Sequence, residues 1–297
     1  MPNSQPSLRV DVIYPANLKE GDAPPSPTDP NYNWHFLAEG DSWFTIGAVP
    51  SSNLLFELRL AKWTRVLNLA YPGDTILHIS DLAANKDLKA FLAKRNFNYP
   101  FDALLLSGGG NDVIDAAKDL IDVSGYKPAK RDPEAYINRK KLDALLTAIQ
   151  DGYAAIIALR DADNSQSKGR PAFVHTYDYP TPRDAPARFV GTFKLLGPWL
   201  YKVFKGSAMD VQLQQLIVNR IMDALADSLL ELDCEHGKPG KQLPAVYVID
   251  TRNTLVMANP GEVGNSNDWL NEIHPNMDGY RKIADRLSAR INEVMLG

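Results

Sequence analysis

Cysteine is almost absent from this chain. Cys234 is the only one among 297 residues, so no intramolecular disulfide can form, and a thiolate nucleophile within "LLELDCEHG" has no evident local partner. A surplus of one charge is missing too: 32 Lys and Arg against 36 Asp and Glu leave a formal charge of −4. With those cations scattered, the chain carries no footprint for nucleic acid or for an anionic membrane. No basic segment followed by an apolar run opens the sequence, and no window reads as a membrane span of about 18 to 20 apolar residues. The expectation is a soluble, cytoplasmic protein. No repeat recurs at a fixed period, and His35, His78, His175 and His236 lack metal-ligand spacing such as H-E-x-x-H. "SGGGND" (107–112) has neither the G-x-G-x-x-G spacing nor the lysine of a phosphate loop. Around Ser42 there is no G-x-S-x-G elbow, which argues against the α/β-hydrolase fold.

What is present is a 44% apolar chain long enough for a sizeable core. Residues 1–33, with "NLKEGDAPPSPTDPNYN", read as a Pro-rich arm, and a single domain is expected over 34–297. There, runs of strand length ("WHFLAEG" 34–40, "TRVLNLAY" 64–71, "FDALLLSG" 101–108, "AFVHTYDY" 172–179, "AVYVIDT" 245–251) alternate with amphipathic stretches at 54–63, 134–162, 211–235 and 278–295. That alternation predicts βα units: a three-layer α/β/α sandwich on a mostly parallel five-stranded sheet. The stretch 177–210, "YDYPTPRDAPARFVGTFKLLGPWLYKVFKGSAMD", is long for an αβ connection and is read either as a lid or acyl-pocket wall, or as a packed excursion.

In an open parallel sheet, ligands bind beyond the carboxyl ends of the strands. At those ends stand Gly40-Asp41-Ser42, then Gly73-Asp74, then Gly108-Gly109-Gly110-Asn111-Asp112, and near the C-terminus His274 in "NDWLNEIHPNMDGY". A serine hydroxyl needs a base within hydrogen-bond reach, and imidazole suits that task. Acyl transfer also needs donors aimed at the developing oxyanion. Glycines let the backbone N–H of residues 42 and 73 approach closely, and the Asn111 amide is a third donor. Asp41 and Asp112 are expected to pin their loops through side-chain to backbone hydrogen bonds.

Gly-Asp-Ser, a glycine after the second strand, Gly-x-Asn-Asp after the third and a late His-Pro, in that order, resemble the SGNH or GDSL-type esterase and lipase superfamily from about residue 34 to 297. The resemblance implies a flavodoxin-like three-layer fold, no metal, no organic cofactor and a small-molecule ester substrate. It also singles out Ser42 as nucleophile, His274 as general base and then acid, and the Ser42 N–H, Gly73 and Asn111 as the oxyanion hole. An acyltransferase on the same nucleophile, or a non-catalytic carbohydrate or lipid binder, is the alternative. One departure concerns the acid that orients the histidine. The family places Asp three residues before it, where this chain has Asn271. The expectation is that Asp268 supplies the carboxylate, with Asn271 as the alternative and Glu272 last.

Overall fold

The computed structural model describes residues 7–21, 23–45, 52–81, 83–93, 98–188 and 195–297. Six short apolar runs form one sheet: β1 (Asp11–Ile13), β2 (Trp34–Gly40), β3 (Thr64–Asn68), β4 (Ala103–Ser107), β5 (Ala172–His175) and β6 (Val246–Ile249). β3, β4 and β5 are buried along their whole length, as expected of parallel strands covered on both faces. The spatial order is β6-β5-β4-β2-β3-β1, with every pair parallel. From β2 the chain winds outward to β3, then crosses back to β4, β5 and β6. The order therefore reverses between β2 and β4, which opens a crevice at their carboxyl ends.

The sheet has six strands rather than the five expected. The sixth, β1, comes from the stretch read as an arm, and it pairs with Arg65–Leu67 of β3. Three residues are too few for an alternating pattern to register in the sequence. Arg65 holds them: its guanidinium donates to Asp11 at 2.8 Å and to Asp29 at 3.1 Å, and Tyr32 also donates to Asp11 at 2.8 Å. Just before β1, Leu8–Arg9 pairs antiparallel with Arg59–Leu60. That pairing draws residues 59–60 into extended backbone, so the helix expected over 54–63 stops at Glu57.

Nine helices occur among the described residues: α1 (Ser42–Thr45), α2 (Leu54–Glu57), α3 (Ile76–Ser80), α4 (Lys86–Ala93), α5 (Gly110–Leu120), α6 (Arg139–Arg160), α7 (Tyr201–Phe204), α8 (Val211–Leu230) and α9 (Met277–Leu296). Asn138, Asp210 and Asn276 cap α6, α8 and α9, each side chain accepting the N–H three residues on. α3, α4, α5 and α8 pack around α6, while α2 packs on α9. α6 is long and apolar enough to cross a membrane, with a mean hydropathy of 1.4 over 18 residues, contrary to the sequence reading. That apolarity is used inside the fold, where Leu142, Ile149, Tyr153 and Ile156 are fully buried.

Within 177–210, Ala187–Arg188 pairs antiparallel with Leu195–Leu196 ahead of α7; residues 189–194 lie outside the described residues.

Candidate active site

β2 delivers the serine. A Cβ on Gly40 would meet the Ser107 carbonyl oxygen at 2.5 Å and the Ser107 Cβ at 2.7 Å, so only glycine allows β2 and β4 to approach this closely. The next residue uses that approach: the Asp41 N–H donates to the Ser107 carbonyl at 3.1 Å. Asp41 Oδ1 then accepts the Trp43 N–H at 3.0 Å, which turns the chain into α1 with Ser42 as its first residue. Asp41 thus pins its loop as expected.

The histidine arrives on a tight loop before α9. Trp269 bridges to Ser266 and to Pro275, and the Leu270 N–H donates to the His274 carbonyl at 2.9 Å. The loop is fastened to the serine turn by Trp43, whose indole N–H donates to the Ile273 carbonyl at 3.2 Å. His274 Nε2 lies 2.8 Å from Ser42 Oγ, and His274 Nδ1 lies 2.9 Å from Asn271 Oδ1.

The same Asn271 oxygen accepts the backbone N–H groups of Ile273 at 3.1 Å and His274 at 3.0 Å. Those two donors fix which end of the amide faces the ring, because a flipped amide would set its NH2 against two N–H groups. An oxygen at that place requires hydrogen on Nδ1, which leaves the Nε2 lone pair toward Ser42. Burial, with no carboxylate beside the ring, pulls the His274 pKa down from 6.5 to about 4.

Asp268 does not reach the histidine, contrary to the expectation. Its carboxylate accepts from Lys282 Nζ at 2.8 and 2.6 Å and from the Val256 N–H at 2.6 Å. It therefore ties the loop to α9 and leaves Asn271 facing the ring. Glu272, ranked last for that role, also points elsewhere. It accepts the backbone N–H groups of Arg183 at 3.3 Å, Leu200 at 3.0 Å and Tyr201 at 2.6 Å, and that of Trp199.

Of the expected oxyanion donors, Ser42 and Asn111 line one cleft. Gly73 sits outside its lining, in a turn that needs its φ of +83°. Asn111 links the two: its Nδ2 donates to the Asp74 carbonyl at 2.8 Å, holding the Gly73-Asp74 turn against the start of α5. One of the two amide N–H bonds of Asn111 is used there and one remains. Asp112 secures the same turn by accepting the Ile76 N–H at 2.8 Å.

Two features escaped the sequence reading. Behind Ser42 runs a buried chain of polar groups, in which Ser107 Oγ contacts Asp41 Oδ1 and His175 Nε2, each at 2.9 Å, and Tyr177 donates to Asp41 Oδ2 at 2.5 Å. His175 Nδ1 faces the Thr176 carbonyl at 2.7 Å, which can only accept, so Nδ1 carries hydrogen. The Ser107 hydroxyl donates to Asp41 Oδ1. Burial pushes Asp41 up to about 6 and His175 down to about 4. Ser107 and His175 form a second Ser–His pair, but neither side chain lines the cleft.

The second missed feature is Arg183, 1% exposed. It donates to the carbonyls of Glu262 at 3.1 Å and Asn271 at 2.7 Å, and also to Gly264. An arginine in a Pro-rich stretch gives no sign in the sequence that it braces a loop some ninety residues away.

The cleft itself is lined on its polar side by Ser42, Asn111 and Asp178 and on its apolar side by Trp43, Ile114, Tyr177 and Met222. No cluster of metal-ligating side chains occurs among the described residues. Trp199 stands edge-on to the His274 ring, with centroids 6.0 Å apart.

No family model matches this sequence, and no curated protein matches it significantly. Solved structures do match. One, described as a possible lipase from Chitinophaga pinensis, aligns over 88% of this chain and 99% of its own with a TM-score of 0.50 at 13% identity. An extracellular lipase from Streptomyces rimosus aligns over 86% and 98% with a TM-score of 0.47 at 12% identity. A phospholipase A1 from Streptomyces albidoflavus aligns over 87% and 98% with a TM-score of 0.46 at 13% identity. The sheet order, the switch-point crevice and the first of these alignments together show that this chain shares the three-layer α/β fold of the possible lipase from Chitinophaga pinensis.

Proposed function

We propose that this protein is a serine esterase that cleaves carboxylic esters through an acyl-enzyme on Ser42. The observation that carries the reading is the continuous Ser42–His274–Asn271 contact, at 2.8 and 2.9 Å, at the mouth of the sheet crevice. Ser42 Oγ attacks the ester carbonyl carbon while its proton passes to His274 Nε2. The carbonyl oxygen becomes an oxyanion, received by the Ser42 N–H and by the Asn111 N–H that its bond to Asp74 leaves over. As the tetrahedral intermediate collapses, the C–O bond to the alcohol breaks, and the alkoxide takes the proton from Nε2. Water then repeats the sequence on the acyl-enzyme, with Nε2 again the base, and releases the acid.

Asn271 orients the ring but supplies no negative charge to the imidazolium that forms. In a serine protease an Asp→Asn change at this place costs about 10⁴ in kcat, mostly because the wrong tautomer results. Here the two backbone donors on Asn271 Oδ1 prevent that error, so the expected loss is the smaller, purely electrostatic part. Hydrolysis of p-nitrophenyl acetate tests the reading: Ser42→Ala should abolish turnover with the circular dichroism spectrum unchanged, and retained turnover would refute the assignment.

One observation favours a second reading, a non-catalytic binder of the same fold. The neutral Asn271 stands where a strong base would want a carboxylate. A binder would give no ester turnover above the buffer rate in the same assay.

A further inference from the structure

Beside the cleft lies a second cavity, and a single side chain belongs to both. The cleft next to Ser42 offers about 30 Å³. The second offers about 10 Å³ and is lined only by apolar residues, among them Val113 and Ala117 of α5, Leu200, and Val218 and Ile221 of α8. Met222, 4% exposed, is the one residue that lines both among the described residues. By the same measure the deeper space is about a third of the cleft.

We infer that Met222 is a partition that limits this esterase to short acyl chains, with a second apolar compartment closed off behind it. The inference rests on Ser42 being the acylated residue, since that places the acyl group in the first cavity. An acetyl group extends one carbon past its carbonyl and a butyryl group three, which fit in front of the thioether. A hexanoyl group extends five and meets it. Methionine is unbranched and carries only three heavy atoms beyond Cβ. Removing them would join the two spaces into one longer apolar slot. Leu200 lines the deeper space too, and its N–H is held by Glu272 at 3.0 Å, so that wall is fixed by the fold.

The test compares acetyl, butyryl and hexanoyl p-nitrophenyl esters on wild type, Met222→Ala and Ile217→Ala. Ile217 is equally buried on α8 but lines neither cavity. Wild type should favour acetyl and butyryl, and M222A should raise the hexanoyl-to-acetyl ratio of kcat/KM at least tenfold. I217A should leave that ratio unchanged. Ala117→Leu added to M222A refills the deeper compartment and should restore the wild-type ratio.

Trp43 and Trp269 both line the cleft, so quenching of their fluorescence by hexanoate and by acetate reads the cavity without turnover. Hexanoate should bind M222A at least tenfold tighter than wild type, with acetate unchanged. If M222A fails to fold, Met222→Val carries the same comparison. An M222A ratio equal to that of I217A, with no tightening of hexanoate, overturns the partition. Absence of turnover in wild type alongside the expected hexanoate shift instead counts against Ser42 catalysis and leaves the partition standing.

Discussion

Asn271 decides how the candidate base behaves. A carboxylate in its place would raise the pKa of His274 and stabilise imidazolium as the serine proton arrives. The neutral amide does neither, and burial holds the ring at a pKa of about 4. Above that value His274 is neutral and able to accept a proton. The acid limb of kcat/KM is therefore expected near pH 4, with a level profile from pH 5.5 to 8, well below the limb near 6.5 of an unperturbed histidine.

Asn271→Asp should move that limb upward, since an adjacent negative charge favours the protonated ring. It should also raise kcat by about 10- to 100-fold, a fraction of the factor attached to the full aspartate. Esterase rates from pH 3.5 to 9 on both proteins check this; an unshifted limb in N271D would contradict the assignment of Asn271 as the orienting group. The positions of Ser42 and His274 were legible because strand-end Gly-Asp-Ser and a late His-Pro stand in a fixed order. Which of Asp268, Asn271 and Glu272 faces the ring was not legible. That depends on how the Trp269 bridges and the Leu270–His274 hydrogen bond fold seven residues back on themselves, and on Lys282, one turn into α9, drawing Asp268 away.

Among the elements, the 177–210 excursion braces the histidine loop as well as covering the second cavity. Arg183 fills carbonyls of that loop, and Glu272 returns the tie by accepting four N–H groups from residues 183 and 199–201. Deleting those acceptors strands several buried donors, each worth about 1–3 kcal/mol. Glu272→Ala should therefore destabilise the protein by about 3–5 kcal/mol at pH 5 and speed amide exchange at Trp199–Tyr201.

The pH dependence has a definite sign. Burial pushes Glu272 up to about 7 in the folded protein, above its ordinary 4.5. Its stabilising contribution is complete below pH 4.5 and is lost as pH rises through 7. The gap between wild type and E272A should narrow by about 3 kcal/mol between pH 4.5 and pH 9, as the pKa difference converts at about 1.4 kcal/mol per pH step. Chemical denaturation at both pH values measures it, and a gap that widens toward pH 9 would contradict the account.

The long elements were legible by periodicity: α6, α8 and α9 lie close to the stretches marked for them, and the five expected strands are present. The short ones were not. α3 and α7 run only one turn, and β1 owes its place to Arg65 and to β3 rather than to any pattern of its own.

For the molecule as a whole, the sheet order is what makes a site. Residues 40–42, 73–74, 107–112 and 271–274 are far apart in the chain. They meet because β2 and β4 are spatial neighbours that send their connections in opposite directions. The buried Asp41–Ser107–His175 chain then cements the two strand ends beneath the serine. Each of these parts has a structural use, but of the two serines that face an imidazole nitrogen only Ser42, 2.8 Å from His274 Nε2, lines the cleft. The central claim is that this contact activates Ser42 alone. Reaction with a fluorophosphonate, followed by intact-mass and peptide mapping, tests it most directly. One adduct per chain is expected, on Ser42, lost in Ser42→Ala and slowed at least 100-fold in His274→Ala. No adduct, or an adduct on another residue that persists in both variants, would contradict it.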